Sequence, residues 1–164
     1  MDKQKWEEII RHVIPWVFEE GAFMFSEVAG RDMFDARESD LVKAELFYRG
    51  AQAGNLILAT QGLFAVHLAA NMLGRDPFDV FLIPLADDAV AEILNMLAGN
   101  LLANLYGTTA DIDIGMPKVT RANSSALQKD MTRMSFSCMF RNEDKELFLL
   151  AFKPNVTSPS LGNR

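Results

Sequence analysis

The stretch DDAVAEILNMLAGN, Asp87 to Asn100, sets three acids and two amides in a run otherwise made of Ala, Val, Ile, Leu, Met and Gly. A helix advances about 100° per residue, so with Asp88 at zero Glu92 falls near ~40°, Asn95 near ~−20° and Gly99 near ~20°. Val90, Ile93, Leu94, Leu97 and Leu101 gather on the opposite half, which therefore meets a core. The periodicity runs from about Leu85 to Tyr106. Pro84 suits a helix entrance, and Gly107 closes the helix.

Outward from this helix the pattern changes period more than once. Residues 3 to about 27 carry Trp6, Ile9, Ile10, Val13 and Val17 at helical spacing, with Pro15 expected to kink the helix and Gly21 to weaken it. Val42 to Tyr48 and Asn55 to Ala59 read as strands joined by a hairpin loop in RGAQAG. A second helix spans Gly62 to Gly74, and RDPFDVFLIP is a connection with room for a short strand. ADIDIGM alternates strictly, Met134 to Phe140 alternates loosely, and Glu146 to Phe152 is an apolar run, so all three are strand candidates. The expected class is α+β, long helices packed on a mostly antiparallel sheet. The expected organisation is one domain over residues 1–154 with a flexible C-terminal tail at 155–164.

Composition narrows the partners. At 164 residues and 49% apolar content the chain can bury a core without covalent staples. A net charge of −6 with no basic stripe argues against nucleic acid and against an anionic membrane surface. Asp2, Glu7 and Glu8 interrupt any signal-like run, and no apolar segment is long enough to span a bilayer. Cys138 is the single cysteine, which fits a reducing compartment, and a cytoplasmic location is expected.

The polar stripe of the Asp87 to Asn100 helix differs from an ordinary solvated face. Such faces favour Lys, Arg and Glu, yet no Lys or Arg occurs between Leu85 and Tyr106. Its carboxylate and amide stand among Ala and Gly, on a low surface suited to close approach by another protein. Glu92 and Asn95 are three residues apart, so their side chains start about 5–6 Å from one another. A carboxylate can pair with a partner's ammonium, and a carboxamide can accept from and donate to a water at once.

Asp88-x-x-x-Glu92-x-x-Asn95, followed by Gly99-Asn100 and by Pro117 after a strand, resembles the signature of the CheC/CheX/FliY phosphatase family. The resemblance extends from the first helix to about Phe152. E-x-x-N alone is common by chance, but within DDAVAEILNMLAGN and before DIDIGMPKV it is selective. The family fold is a duplicated α/β unit, and some members carry a second motif on the first helix. Here the first asparagine is Asn55, so that helix has none. A single motif is the CheX pattern rather than the CheC pattern. The interval from Asn95 to Pro117 is slightly shorter than the family's, suggesting a trimmed loop. The echo between AANMLG and ILNMLAG is not a repeat, since Leu68 stands where Glu92 would be.

The resemblance implies hydrolysis of the phosphoaspartate on a CheY-like response regulator. Asn95 would fix a water in line with phosphorus, and Glu92 would pair with the regulator's active-site lysine. Asp88 and Gly99 would meet the partner, although Asp88 equally complements the positive end of its own helix. Mg²⁺ is expected in the partner's site and no cofactor in this chain. A homodimer is expected by similarity to CheX. Positioning alone can lower such a barrier by several kcal/mol, roughly 7–11 at its upper range. The rival reading is a non-catalytic module that binds a receiver domain or another signalling protein.

The remaining polar residues carry blander readings. His67 falls in an apolar pattern and reads as a core or boundary histidine. His12 has no companions at ligand spacing, and Cys138 reads as a buried thiol. Asn100 and Asn104 lie toward the buried side of the wheel and are expected to satisfy backbone groups of a neighbouring loop.

Overall fold

The computed structural model describes residues 3–30 and 33–155. In chain order the elements are α1 (Lys3–Ala22), β1 (Ser26–Val28), β2 (Leu41–Gly50), β3 (Ala53–Gln61), α2 (Gly62–Leu73), a 3-10 helix (Val80–Leu85) and α3 (Ala86–Tyr106). Then follow β4 (Ile112–Ile114), β5 (Lys118–Ala122), α4 (Ser124–Met131), β6 (Phe136–Asn142) and β7 (Leu147–Asn155). Helices cover a seven-stranded sheet in which every pairing is antiparallel, as an α+β domain requires.

The strands run β1-β6-β7-β3-β2, and β4 and β5 share the far edge of β2. β4 pairs with Tyr48 to Gly50 and β5 with Leu41 to Glu45. Gly115 joins the two, its N–H donating to Phe47 O at 2.8 Å, where a Cβ would meet that same oxygen. β7 lies in the middle of the sheet, between β3 and β6.

Alternation along β7 sends Phe148, Leu150 and Phe152 to the face covered by α1, α2 and α3. Leu149 and Ala151 point to the other face, where Phe34 and Leu127 join them in a second, smaller core. α4 closes that side. Asn123 caps it by accepting from Ala126 N–H at 2.8 Å, and Lys43 Nζ reaches Asp130 Oδ2 at 2.6 Å. On the first face Trp6 stacks on Phe152 at 4.9 Å and Phe18 packs on Phe148 at 4.3 Å between ring centroids. α1 reaches α3 closely because Gly21 has no side chain: a Cβ there would lie 2.6 Å from Met96 Cε.

Several sequence expectations need correction. The first helix ends at Ala22, where Phe23 takes φ +51°, and the following residues form β1 instead. RDPFDVFLIP contains a 3-10 helix rather than a strand. β5 and α4 carry no strong apolar period and were not expected. Asn155 is the last residue of β7, and residues 156–164 of the expected tail lie outside the described residues.

Candidate functional site

α3 arises where the wheel places it, and its apolar half is the centre of the core. Val90, Ile93, Leu94, Leu97 and Leu101 are all fully buried. At its start Leu85 has αR backbone angles, so the 3-10 helix runs into α3 without a break, and Asp87 and Asp88 occupy the first turn. At its end Gly107 adopts φ +92° and its N–H donates to Ala103 O at 2.9 Å. Tyr106 ties this end to the sheet, its hydroxyl lying 3.3 Å from that of Tyr48. Burial, and then this hydrogen bond, push the Tyr48 phenol above its ordinary value.

The opposite half of α3 is the candidate site. Asp88, Glu92 and Asn95 are exposed, and Gly99 is half-buried with open space where a Cβ would stand. The side chains of Glu92 and Asn95 have no hydrogen-bond or ion-pair partner among the described residues. Thus the structure brings the four sequence-predicted residues onto one helix face, with the charged and amide groups directed away from the protein.

The two acids of the first turn separate in role. Arg121 of β5 reaches Asp87 Oδ1 at 2.8 Å and Asp40 Oδ1 at 3.6 Å, while Asp88 makes no such contact among the described residues. This tie was invisible in the sequence, because Arg121 follows Asp87 by 34 positions and only strand pairing brings it back. Asn100 and Asn104 also correct an expectation. Each donates from Nδ2 to a carbonyl of its own helix, Met96 O and Asn100 O respectively, both at 2.8 Å. Asn104 is exposed rather than buried. Neither serves a neighbouring loop.

His67 Nδ1 lies 2.9 Å from Glu146 Oε1, a boundary histidine as expected, and Asp144 offers a third donor nearby. Both carboxylate oxygens of Glu146 are already engaged, since Asn142 Nδ2 donates to Oε2 at 2.8 Å. The cluster therefore serves to hold the β6–β7 turn against α2. A cavity of about 830 Å³ is apolar and lies toward α4, lined by Phe34, Leu127, Met131 and Leu149. It is remote from the α3 ridge in kind as well as in place. A group meant to enter another protein's pocket must project, so a convex ridge needs no cavity of its own.

A family model described as chemotaxis phosphatase CheX matches residues 46–141, which include all of α3. No curated protein sequence matches the chain. Among solved structures, CheX from Vibrio vulnificus superposes with a TM-score of 0.66 at 17% identity, over 90% of this chain and 95% of that one. A CheX–CheY–BeF3–Mg complex from Borrelia burgdorferi gives 0.65 at 17% identity, over 92% and 97%. FliY from Thermotoga maritima gives 0.61 at 14% identity, over 92% and 90%. At these identities the structures establish a shared fold, and the family model places the chain. No helix among the described residues is long and apolar enough to cross a membrane.

Proposed function

Since the chain belongs to the CheX family of chemotaxis phosphatases, we propose that it hydrolyses the phosphoaspartate of a CheY-like response regulator through the ridge of α3. One observation carries this reading: Glu92 and Asn95 stand exposed, a turn apart and unpartnered, on a helix whose other half is fully buried. Neither side chain is tied down by an ion pair or hydrogen bond among the described residues. These two are held out by a rigid helix instead.

Phosphoryl transfer asks little covalent chemistry of a protein and much positioning. Asn95 carries both a donor and an acceptor, so its amide can hold a water at an angle set by the helix rather than by diffusion. Glu92 supplies a negative charge for an ammonium on the partner, fixing the register in which the amide enters. Fixing the water in line removes orientational freedom before the barrier is climbed, worth several kcal/mol, roughly 7–11 at its upper range. The Mg²⁺ belongs to the regulator's own site in this scheme, and a cytoplasmic setting follows from the partner. That a complex of a CheX with CheY exists for a protein of the same fold supports the choice of partner.

The test is phosphate release from a panel of receiver domains phosphorylated by a small phosphodonor, with and without this protein. Release should accelerate for at least one receiver. Asn95→Ala should abolish the acceleration while changing stability by less than about 0.5 kcal/mol, as for an exposed site. Undiminished release by that variant would remove Asn95 from the chemistry. Binding without acceleration by the unaltered protein would favour the non-catalytic module.

A further inference from the structure

The segment before α3 exposes more apolar surface than any solvated connection needs. Phe78 is 88% exposed, Val80 69%, Phe81 70% and Ile83 60%. A 3-10 helix has three residues per turn, so positions three apart share a row. One row, Asp79, Leu82 and Leu85, faces inward, with Leu82 fully buried. The other two rows, Val80 with Ile83 and Phe81 with Pro84, face solvent. The exposure is held in place rather than loose: Asp79 Oδ1 accepts from Phe81 N–H and Asp76 Oδ1 from Phe78 N–H, both at 2.9 Å. A rigid, contiguous apolar patch of a few hundred Å² is the mark of an interaction site.

We infer that this strap is the second half of the receiver-docking surface, seating an apolar rim of the regulator while the α3 ridge enters its phosphorylation site. The inference rests on the function proposed above. Its first ground is continuity. The strap passes directly into α3, and the five residue-to-residue steps from Ile83 to Asp88 span roughly 8–10 Å of helical backbone. Its second ground is area. A specific interface takes about 800 Å² from each partner, far more than Asp88, Glu92, Asn95 and Gly99 offer, so a protein seated on the ridge must cover what adjoins it.

Charge argues for a receiver rather than a second copy of this chain. Asp76, Asp88 and Glu92 edge the surface, and two such faces brought together would set like charges against one another. A copy seated on the strap would also roof over the ridge. Because the strap is pre-ordered, little conformational freedom is lost when it is covered.

The experiment compares Phe81→Ser and Ile83→Ser with the unaltered protein, on the receiver it dephosphorylates fastest, and measures binding of that receiver loaded with beryllofluoride and Mg²⁺. The expected result is a KM and a Kd raised tenfold or more, with kcat within about twofold and the thermal midpoint not lowered. Unchanged KM and Kd in active variants would overturn the strap's role and leave the phosphatase reading intact. A change from dimer to monomer with KM unchanged would assign the strap to a second copy, and also overturn it. If the unaltered protein neither binds nor dephosphorylates any receiver, the proposed function fails and the inference with it.

Discussion

Arg121 holds Asp87 at 2.8 Å, and Asp88, the next residue, is left projecting without a partner among the described residues. The pair fastens the first turn of α3 to β5 and so fixes where the ridge begins. Adjacent acids on one helix thereby serve different ends, and substitution can separate them. Asp87→Ala should cost stability, though no more than about 1 kcal/mol because both partners are half exposed. Asp88→Ala should leave stability within about 0.5 kcal/mol and instead weaken receiver binding. Chemical denaturation of both variants beside a binding titration checks the division. If Asp88→Ala binds normally, that acid only complements its own helix.

Glu92→Gln keeps the size and shape of the side chain and removes its charge. Against a lysine on the receiver this should weaken binding by about tenfold or more, near 1.4 kcal/mol. Salt supplies the control. Affinity of the unaltered protein should fall between low and physiological ionic strength, and the variant's should fall less steeply. Equal salt slopes would mean that Glu92 meets no cation.

Gly99 sits inside α3, where glycine costs about 0.8–1.0 kcal/mol relative to alanine. No described residue lies within 4 Å of an added Cβ, so no packing reason among the described residues explains it. Gly99→Ala should therefore raise stability by about 0.5–1 kcal/mol. Gly99→Gln should fold well and bind the receiver poorly, because its side chain stands where the partner must approach. Thermal melts with matched binding curves decide this, and full affinity in the Gln variant would sink the idea of a surface kept bare for contact.

Burial pushes the Cys138 thiol above its ordinary range. At pH 8 it should hold less thiolate than free cysteine and be alkylated by iodoacetamide more slowly than the same residue in denatured protein. The sign for stability follows. The folded state favours the neutral thiol, so this contribution is fully present below the unfolded pKa, about 8.5, and is lost as pH rises beyond it. Cys138→Ala should flatten that part of the stability profile between about pH 8 and 10, measured against the unaltered protein.

The sequence was legible where one physical signal ruled. α3 obeyed its period because its apolar half has a sheet and two helices to meet, and β2 showed itself through apolar alternation and β3 as a continuous apolar run, on either side of a short turn. The exposure of the candidate site was legible for the same reason: once one half of α3 is committed to the core, the other half must face out. Where signals conflicted, reading failed. The apolar residues after Ala22 continue a helical impression, but the positive φ of Phe23 ends the helix. Val80 to Leu85 is as apolar as a strand, yet its inward row repeats every third residue, which an eye tuned to alternation misses. β5 lies at an edge, with three of its five residues exposed, and so shows little alternation. α4 announces itself only through the capping Asn123. Arg121 could not be joined to Asp87 before the strand register was known.

β7, the last described strand, is laid between two strands already made, and it supplies aromatic and aliphatic side chains to both cores. On the ribosome the segment through α4 thus emerges with β3 lacking one neighbour, and the large core cannot close until β6 and β7, residues 136–155, arrive. That interval leaves a long apolar strand edge open to other nascent chains. Slowed translation, or a stop codon placed just before β7, should therefore produce insoluble material rather than a smaller folded protein.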